Sequence, residues 1–192
     1  MIKRILPGAA LVLVAVMWGV FIVDLLLPGM TFNHFGIQPR TLAGLSGVLF
    51  APVLHGGLVH IVSNTIPLLV LCVLVRISVG SSQLLLVMLG GAVGSGLGAW
   101  VFGSGGYVVG ASGVVFALIG YLLADAYFSP SLRSWGIAVV SLALYGSALL
   151  SLLSFLPFIS WAGHFWGLIA GIAAASALRS AKKSSSAQRA AK

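Results

Sequence analysis

The chain has 192 residues, of which 60% are hydrophobic and 6% charged, whereas soluble domains carry about 25% charged residues. This composition excludes an ordinary soluble protein and predicts one membrane-embedded domain, because a spanning helix needs about 20 apolar residues. The net charge is +8, but half of the basic residues lie after residue 178, which favours membrane topology over nucleic-acid binding. The only acidic residues are Asp24 and Asp125, so motifs that require glutamate are excluded.

Apolar runs of near-bilayer length predict six transmembrane helices in an all-α polytopic membrane protein. The runs cover residues 5–27, 58–77, 84–102, 108–128, 135–155 and 158–178. The segment 28–52 is interrupted by glycine and proline, and we expect it to be ordered and partly inserted in the membrane. We expect a membrane domain over residues 1–178, followed by a basic, disordered tail over residues 179–192.

Basic residues alternate between the ends of these runs and indicate how the chain is oriented. Lys3 and Arg4 precede the first run, Arg76 follows the second, Arg133 follows the fourth, and the basic tail follows the sixth. Only Arg40 falls on the opposite side. The positive-inside rule therefore predicts that both termini are cytoplasmic, and the short loops suit a bacterial inner membrane.

Four polar residues fall near the outer ends of even-numbered spans, where polar side chains are expensive and are often functional. His60 and Asn64 lie one helical turn apart on the second span, Ser112 begins the fourth, and His164 lies early in the sixth. We expect these residues to converge a short way below the outer face. Helix N-termini there supply free backbone N–H groups and a field that favours negative charge.

Acyl transfer is the chemistry that such a set could perform. Ser112 becomes a nucleophile if His164 takes its proton, and the tetrahedral oxyanion needs donors already in place. The side chains of His60 and Asn64 and the backbone N–H of Ser112 could supply them. Both aspartates are predicted at membrane surfaces, so we expect a dyad that needs no metal or cofactor. Taken singly, the serine could instead cap or pack a helix, and the histidine could bond a carbonyl.

Glycines recur at a spacing of four or seven residues on three predicted spans. Small residues at such positions let helix backbones approach closely. The set comprises Gly90, Gly94 and Gly98 on the third span, Gly113 and Gly120 on the fourth, and Gly163, Gly167 and Gly171 on the sixth.

Three motifs resemble those of the rhomboid intramembrane serine proteases, in order and in spacing. They are His55-Gly-Gly-Leu-Val-His60-Ile-Val-Ser-Asn64, Gly110-Ala-Ser112-Gly113 and Gly163-His164. The resemblance covers the second to sixth spans and implies a minimal six-helix rhomboid-like bundle. It also implies a Ser112–His164 dyad with oxyanion stabilisation by His60 and Asn64, in agreement with the roles inferred from the residues.

The resemblance assigns supporting roles as well. It implies that His55 supports the start of the second span and that Gly110 permits a tight approach at the nucleophile. It also implies that the sixth helix packs on the fourth through Gly163, Gly167 and Gly171. Two positions depart from the pattern. Residues 45–48 read Leu-Ser-Gly-Val where many members have a Trp-Arg pair, and Phe116 stands where some have a tyrosine that stacks on the histidine.

The expected activity is hydrolysis of a peptide bond in or beside a transmembrane helix of another membrane protein. Such a substrate would enter laterally from the lipid, and water would reach the dyad from the outer side below a cap formed by residues 154–161. The alternatives are a catalytically inactive rhomboid-like protein that binds client helices, a small transporter, and an aspartyl protease. The sequence leaves the oligomeric state open.

Overall fold

The computed structural model describes residues 7–27, 29, 31–153 and 160–190. Within those ranges the regular structure is helical, apart from one isolated antiparallel bridge between Ile37 and Val108. The helices are α1 (Gly8–Leu26), α2 (Leu42–Phe50), α3 (Leu58–Val79), α4 (Ser81–Phe102), α5 (Ser112–Phe128), α6 (Leu132–Tyr145) and α7 (Trp161–Ala190). Short 3₁₀ segments cover Phe32–Phe35, Ala51–Val53 and Gly146–Leu153. The predicted all-α fold is confirmed.

Five helical stretches are long and apolar enough to cross a membrane, and each overlaps one of the predicted spans. They are Gly8–Leu26, Leu58–Val79, Ser81–Phe102, Leu132–Leu152 and Trp161–Ala181. Many of their leucine, valine and isoleucine side chains are exposed, as expected where lipid covers them. The chain is a multi-pass integral membrane protein.

The remaining predicted span, residues 108–128, is shorter than expected. Helix α5 begins only at Ser112 and has 17 residues, because Val108 pairs with Ile37 and Gly110 adopts a φ of 115°. Of those residues 12 are buried, and the helix packs against α3, α4 and α7. A helix enclosed by other helices need not present apolar surface across the whole lipid thickness. Helix α5 is therefore the centre of the bundle.

Helices α5 and α7 are in direct backbone contact. A Cβ atom added to Gly167 would overlap the carbonyl oxygen of Gly113, and one added to Gly171 would overlap that of Ala117. From the other side, a Cβ on Gly120 would overlap the carbonyl oxygen of Leu168. The two backbones can approach this closely because glycine has no side chain at the contact.

The glycines of α4 only partly follow the predicted register. Gly94 lies against Ala170 and Gly98 against Trp166, both on α7, as close packing predicts. The prediction for Gly90 is wrong, since nothing lies within 4 Å of a Cβ built there, and the neighbouring Gly91 contacts Ala117 of α5 instead. Spacing identified the glycine-rich helix, but the rotation of the helix about its axis selects which glycines make contact.

Gly163 lies less tightly against the fourth predicted span than Gly167 and Gly171 do. The nearest atoms to a Cβ built there are Ser160 Oγ at 3.2 Å and the Ala99 Cβ at 3.8 Å. The first of these is a local contact at the start of α7, and the second belongs to α4. The carbonyl oxygen of Gly163 lies 3.5 Å from a Cβ built on Gly113 of α5, so Gly163 belongs to the contact between α5 and α7, which is tighter at Gly167 and Gly171.

The described part of the first loop is ordered and anchored to α4. Arg40 donates hydrogen bonds from Nη1 to the carbonyl oxygens of Val101, at 3.2 Å, and Gly103, at 2.7 Å. Gly44 and Gly47 lie directly against the preceding backbone, so α2 folds back on the loop that leads to it. These contacts anchor the loop although residues 45–48 contain no Trp-Arg pair.

The last helix extends further than composition predicts. Residues 179–190 belong to α7, where we expected disorder. Eight of these twelve residues are alanine, lysine, arginine or glutamine, which have high helix propensity, the other four are serine, and the segment continues a helix that is already nucleated. Extension of an existing helix therefore accounts for the difference.

Some predictions fall outside the described residues. Lys3 and Arg4, which contribute to the predicted orientation, are among them, and so are residues 154–159 of the predicted cap. The predicted start of the sixth span at residue 158 also lies there, and the described helix begins at Trp161.

We expect Gly167→Val to destabilise the bundle by about 3 kcal/mol, since the added side chain forces α7 away from the carbonyl group of Gly113. Thermal unfolding in detergent measures the effect.

The matched control is Gly90→Ala, which adds a methyl group to open space on a helix. This variant should be as stable as the wild type or slightly more stable. Equal melting temperatures for the Gly167→Val protein and the wild type would contradict the backbone contact.

Candidate active site

The first turns of three helices meet at one place in the bundle. His60 lies in the first turn of α3, Ser112 is the first residue of α5, and His164 lies in the first turn of α7. Gly110, two residues before Ser112, lies against α3. A Cβ built on Gly110 would lie 2.7 Å from Nε2 of His60 and 3.7 Å from Nδ2 of Asn64. The structure therefore brings together the four polar residues that the sequence predicted to converge.

The turn before α5 determines where Ser112 lies. The backbone N–H of Gly110 donates to the carbonyl oxygen of Ala51 at 2.8 Å, and the bridge between Ile37 and Val108 holds the preceding residues against the first loop. Gly110 has a φ of 115°, a conformation that favours glycine. Both this backbone conformation and the proximity of His60 require the absence of a side chain at position 110.

The imidazole of His164 contacts a hydroxyl group and an aromatic ring, and a cap holds the start of its helix. Its Nε2 lies 2.8 Å from Oγ of Ser112, and its ring stacks on Phe116 with centroids 4.3 Å apart and planes 7° apart. Ser160 caps the start of α7, where its Oγ accepts the N–H of Gly163 at 3.2 Å. The His164 side chain is buried. Ring stacking holds the imidazole against Ser112, and the cap holds the start of the helix that carries it.

The opposite side of the site offers hydrogen-bond donors. Asn64 is buried, and its Nδ2 donates one hydrogen bond to the backbone oxygen of His60 at 2.9 Å. An amide nitrogen carries two hydrogens, so a second donor is left. The backbone N–H of Ser112 lies in the first turn of α5, where helix amides have no carbonyl one turn before them.

His55 packs against one of the donor residues, His60. Its ring is buried and packs edge-on against the ring of His60, with centroids 5.1 Å apart. Burial, together with the neighbouring His60, lowers the pKa of His55 to about 4. His55 is therefore neutral at pH 7 and contacts His60 as an uncharged ring.

A small cavity adjoins the two central side chains. Its volume is about 20 Å³, and Ser112, Gly113, Ser160, Gly163 and His164 are among the residues that line it. A cavity of that volume has room for about one water molecule. The space beside the nucleophile and base candidates is thus of the size that a hydrolytic water needs.

Sequence reasoning missed one contact of the site. Oγ of Ser151 lies 3.0 Å from Nδ1 of His164, the ring nitrogen that faces away from Ser112. Ser151 belongs to the 3₁₀ segment Gly146–Leu153, within the predicted fifth span. Several serines occur in that apolar stretch, and no spacing or motif distinguishes this one.

The two aspartates have separate partners outside the site. Asp24 accepts the backbone N–H of Phe32 at 2.6 Å, and Asp125 accepts a hydrogen bond from Ser78. This separation disfavours the aspartyl protease alternative, which needs a facing pair. Among the described residues, no group of three or more His, Cys, Asp or Glu side chains is arranged to hold a metal ion.

Comparisons with known proteins identify the family of this chain. The sequence model of the Rhomboid domain matches residues 43–181. Proteins of Mycobacterium tuberculosis and Mycobacterium bovis, both described as uncharacterized, are 34% identical over 176 residues, which is 86% of this chain and 72% of theirs. A Mycobacterium leprae protein with the same description is 32% identical over 155 residues, 76% of this chain and 61% of its own. The chain belongs to the Rhomboid family, whose members are generally intramembrane serine proteases.

Proposed function

We propose that this protein is an intramembrane serine endopeptidase that hydrolyses peptide bonds in or next to transmembrane helices of other membrane proteins. The observation that carries the proposal is the 2.8 Å distance between Nε2 of His164 and Oγ of Ser112. A serine next to an imidazole at this distance can be deprotonated as it attacks a carbonyl carbon. An inactive client-binding protein would have no need of that contact.

The proposed reaction proceeds through an acyl-enzyme. Ser112 Oγ attacks the scissile carbonyl carbon while its proton passes to Nε2 of His164, and the imidazolium then protonates the leaving amine. A water molecule next gives a proton to His164 as it attacks the ester carbon, and the imidazolium returns that proton to Oγ as the ester bond breaks, which releases the second product and restores Ser112. No metal or other cofactor takes part in these steps.

Oxyanion stabilisation is assigned to His60, Asn64 and the backbone N–H of Ser112. Support comes from the position of Gly110, which lies next to both side chains and two residues before the nucleophile. These donors are held by helix starts before substrate binds, so little reorganisation is needed as negative charge develops. In the same assignment, His55 and Phe116 support the rings of His60 and His164, and Gly113 and Gly167 set the spacing of α5 and α7.

An apolar groove between α3 and α6 supports lateral access of the substrate. The groove has a volume of about 500 Å³ and is open to the surroundings, and Val59, Val62, Ile66 and Tyr145 contribute to its walls. It runs along the helix that carries His60 and Asn64. We assign it to a substrate helix arriving from lipid. Because a helical peptide bond is shielded by its own hydrogen bonds, substrates with helix-breaking residues should be cleaved fastest.

The proposed topology places the site near the outer face of a bacterial inner membrane. Helix α5, which is fourth in chain order among the predicted spans, brings the number of crossings to six, and both termini are cytoplasmic. Arg76 and Arg133 and the basic residues of α7 then all lie on the cytoplasmic side, as the positive-inside rule requires. A small transporter fits less well, because its polar residues should line a path through the bilayer midplane.

We expect Ser112→Ala and His164→Ala each to lose at least about 1,000-fold in cleavage rate, since they remove the nucleophile and the base. The assay is cleavage of a helix-destabilised transmembrane substrate by purified protein in detergent. Melting temperatures matched to the wild type would establish that both variants are folded. If folded wild type leaves several such substrates intact, the inactive client-binding alternative takes precedence.

We expect Asn64→Ala to lower kcat by about 100-fold, because one oxyanion donor is lost. The matched control is Asn33→Ala, the same change at the only other asparagine, which lies in the first loop. That control should cleave at the wild-type rate. A larger effect of Asn64→Ala on KM than on kcat would contradict an oxyanion role and indicate substrate binding instead.

A further inference from the structure

We propose that Ser151 is a positioning residue that holds His164 in its catalytically competent tautomer. The inference rests on the proposed function and adds a third side chain to the Ser112–His164 pair. It is carried by the two contacts of one imidazole: Nε2 lies 2.8 Å from Oγ of Ser112, and Nδ1 lies 3.0 Å from Oγ of Ser151.

The tautomer matters because a neutral imidazole carries one N–H and one lone pair. For Nε2 to accept the proton of Ser112, the hydrogen must be on Nδ1. When Ser112 donates to Nε2, the lone pairs of Ser151 Oγ accept the hydrogen on Nδ1, so this contact completes the hydrogen bonding of the required form. The opposite tautomer would place a hydrogen on Nε2, which could then no longer act as a base toward Ser112.

The same contact serves the charged intermediate. Once His164 has taken the proton, both ring nitrogens are donors, and each needs an acceptor because the side chain is buried. Ser151 accepts from Nδ1 in the neutral and in the charged state without moving. Serine proteases with a triad use a carboxylate for this purpose. Here both aspartates are bonded elsewhere, and a hydroxyl stands in that position.

Ser151 also connects the site to the element that follows α6. The 3₁₀ segment Gly146–Leu153 begins one residue after Tyr145, which lines the apolar groove between α3 and α6. Displacement of this segment would remove the acceptor from Nδ1.

The first test compares Ser151→Ala and Ser151→Cys with Ser151→Thr. We expect a fall in kcat of about tenfold for the alanine and cysteine variants, with KM unchanged, because a hydrogen bond to a charged group is lost. Cysteine nearly preserves the volume of the side chain but is a weak acceptor, so it separates hydrogen bonding from packing. Threonine keeps the hydroxyl and should restore most of the rate.

The matched control is Ser147→Ala, the same change on the same 3₁₀ segment at an exposed side chain. It should cleave at the wild-type rate. Wild-type kcat in folded Ser151→Ala, or an equal loss in Ser147→Ala, would overturn the proposal.

A second readout does not depend on cleavage. Nitrogen-15 NMR of histidine-labelled protein in detergent reports which ring nitrogen carries the hydrogen. We expect His164 to be protonated at Nδ1 in the wild type and to become a mixture of tautomers in Ser151→Cys. An unchanged tautomer in that variant would overturn the role of Ser151. Failure of the wild type to cleave, with the tautomer shift still observed, would instead reject the proposed function alone.

Discussion

The contact between α5 and α7 is the constraint on which the rest of this structure depends. Gly167 and Gly171 let the two backbones touch, and Gly120 completes the contact from α5. In a bilayer, close packing of small residues supplies association energy that the hydrophobic effect cannot, because lipid is as apolar as the helices. The 2.8 Å separation of Ser112 and His164 follows from that backbone distance.

A second constraint is that buried polar groups need hydrogen-bond partners within a very apolar protein. The site meets it by using helix starts, where backbone N–H groups are free, and by pairing side chains with one another. Ser112, His164 and Ser151 form a continuous chain of contacts through both nitrogens of one ring. Asn64 bonds the backbone of its own helix through one of the two hydrogens on its amide nitrogen. The polar groups assigned to the proposed reaction are therefore also those that the fold keeps in contact.

Much of the fold could be predicted because hydropathy and helix length depend on local sequence. The apolar runs alone predicted segments that overlap the five long apolar helices. The direction and order of the helices predicted that His60, Ser112 and His164 would converge. The start of α5 at Ser112 could not be predicted, since it depends on pairing between Val108 and the distant Ile37. The choice of Gly91 over Gly90 depends on helix rotation, which spacing does not report. Ser151 was missed because its role comes from a contact across helices.

The central claim is that Ser112 is a nucleophile activated by His164, and the most direct measurement is covalent labelling of the folded protein with a fluorophosphonate. Attack by the serine oxygen on phosphorus expels fluoride and leaves a stable adduct, which peptide mass mapping can locate. The account predicts a single adduct at Ser112, formed by the wild type and lost in His164→Ala. Absence of any adduct on the folded wild type, or an adduct that persists at Ser112 without His164, would contradict it.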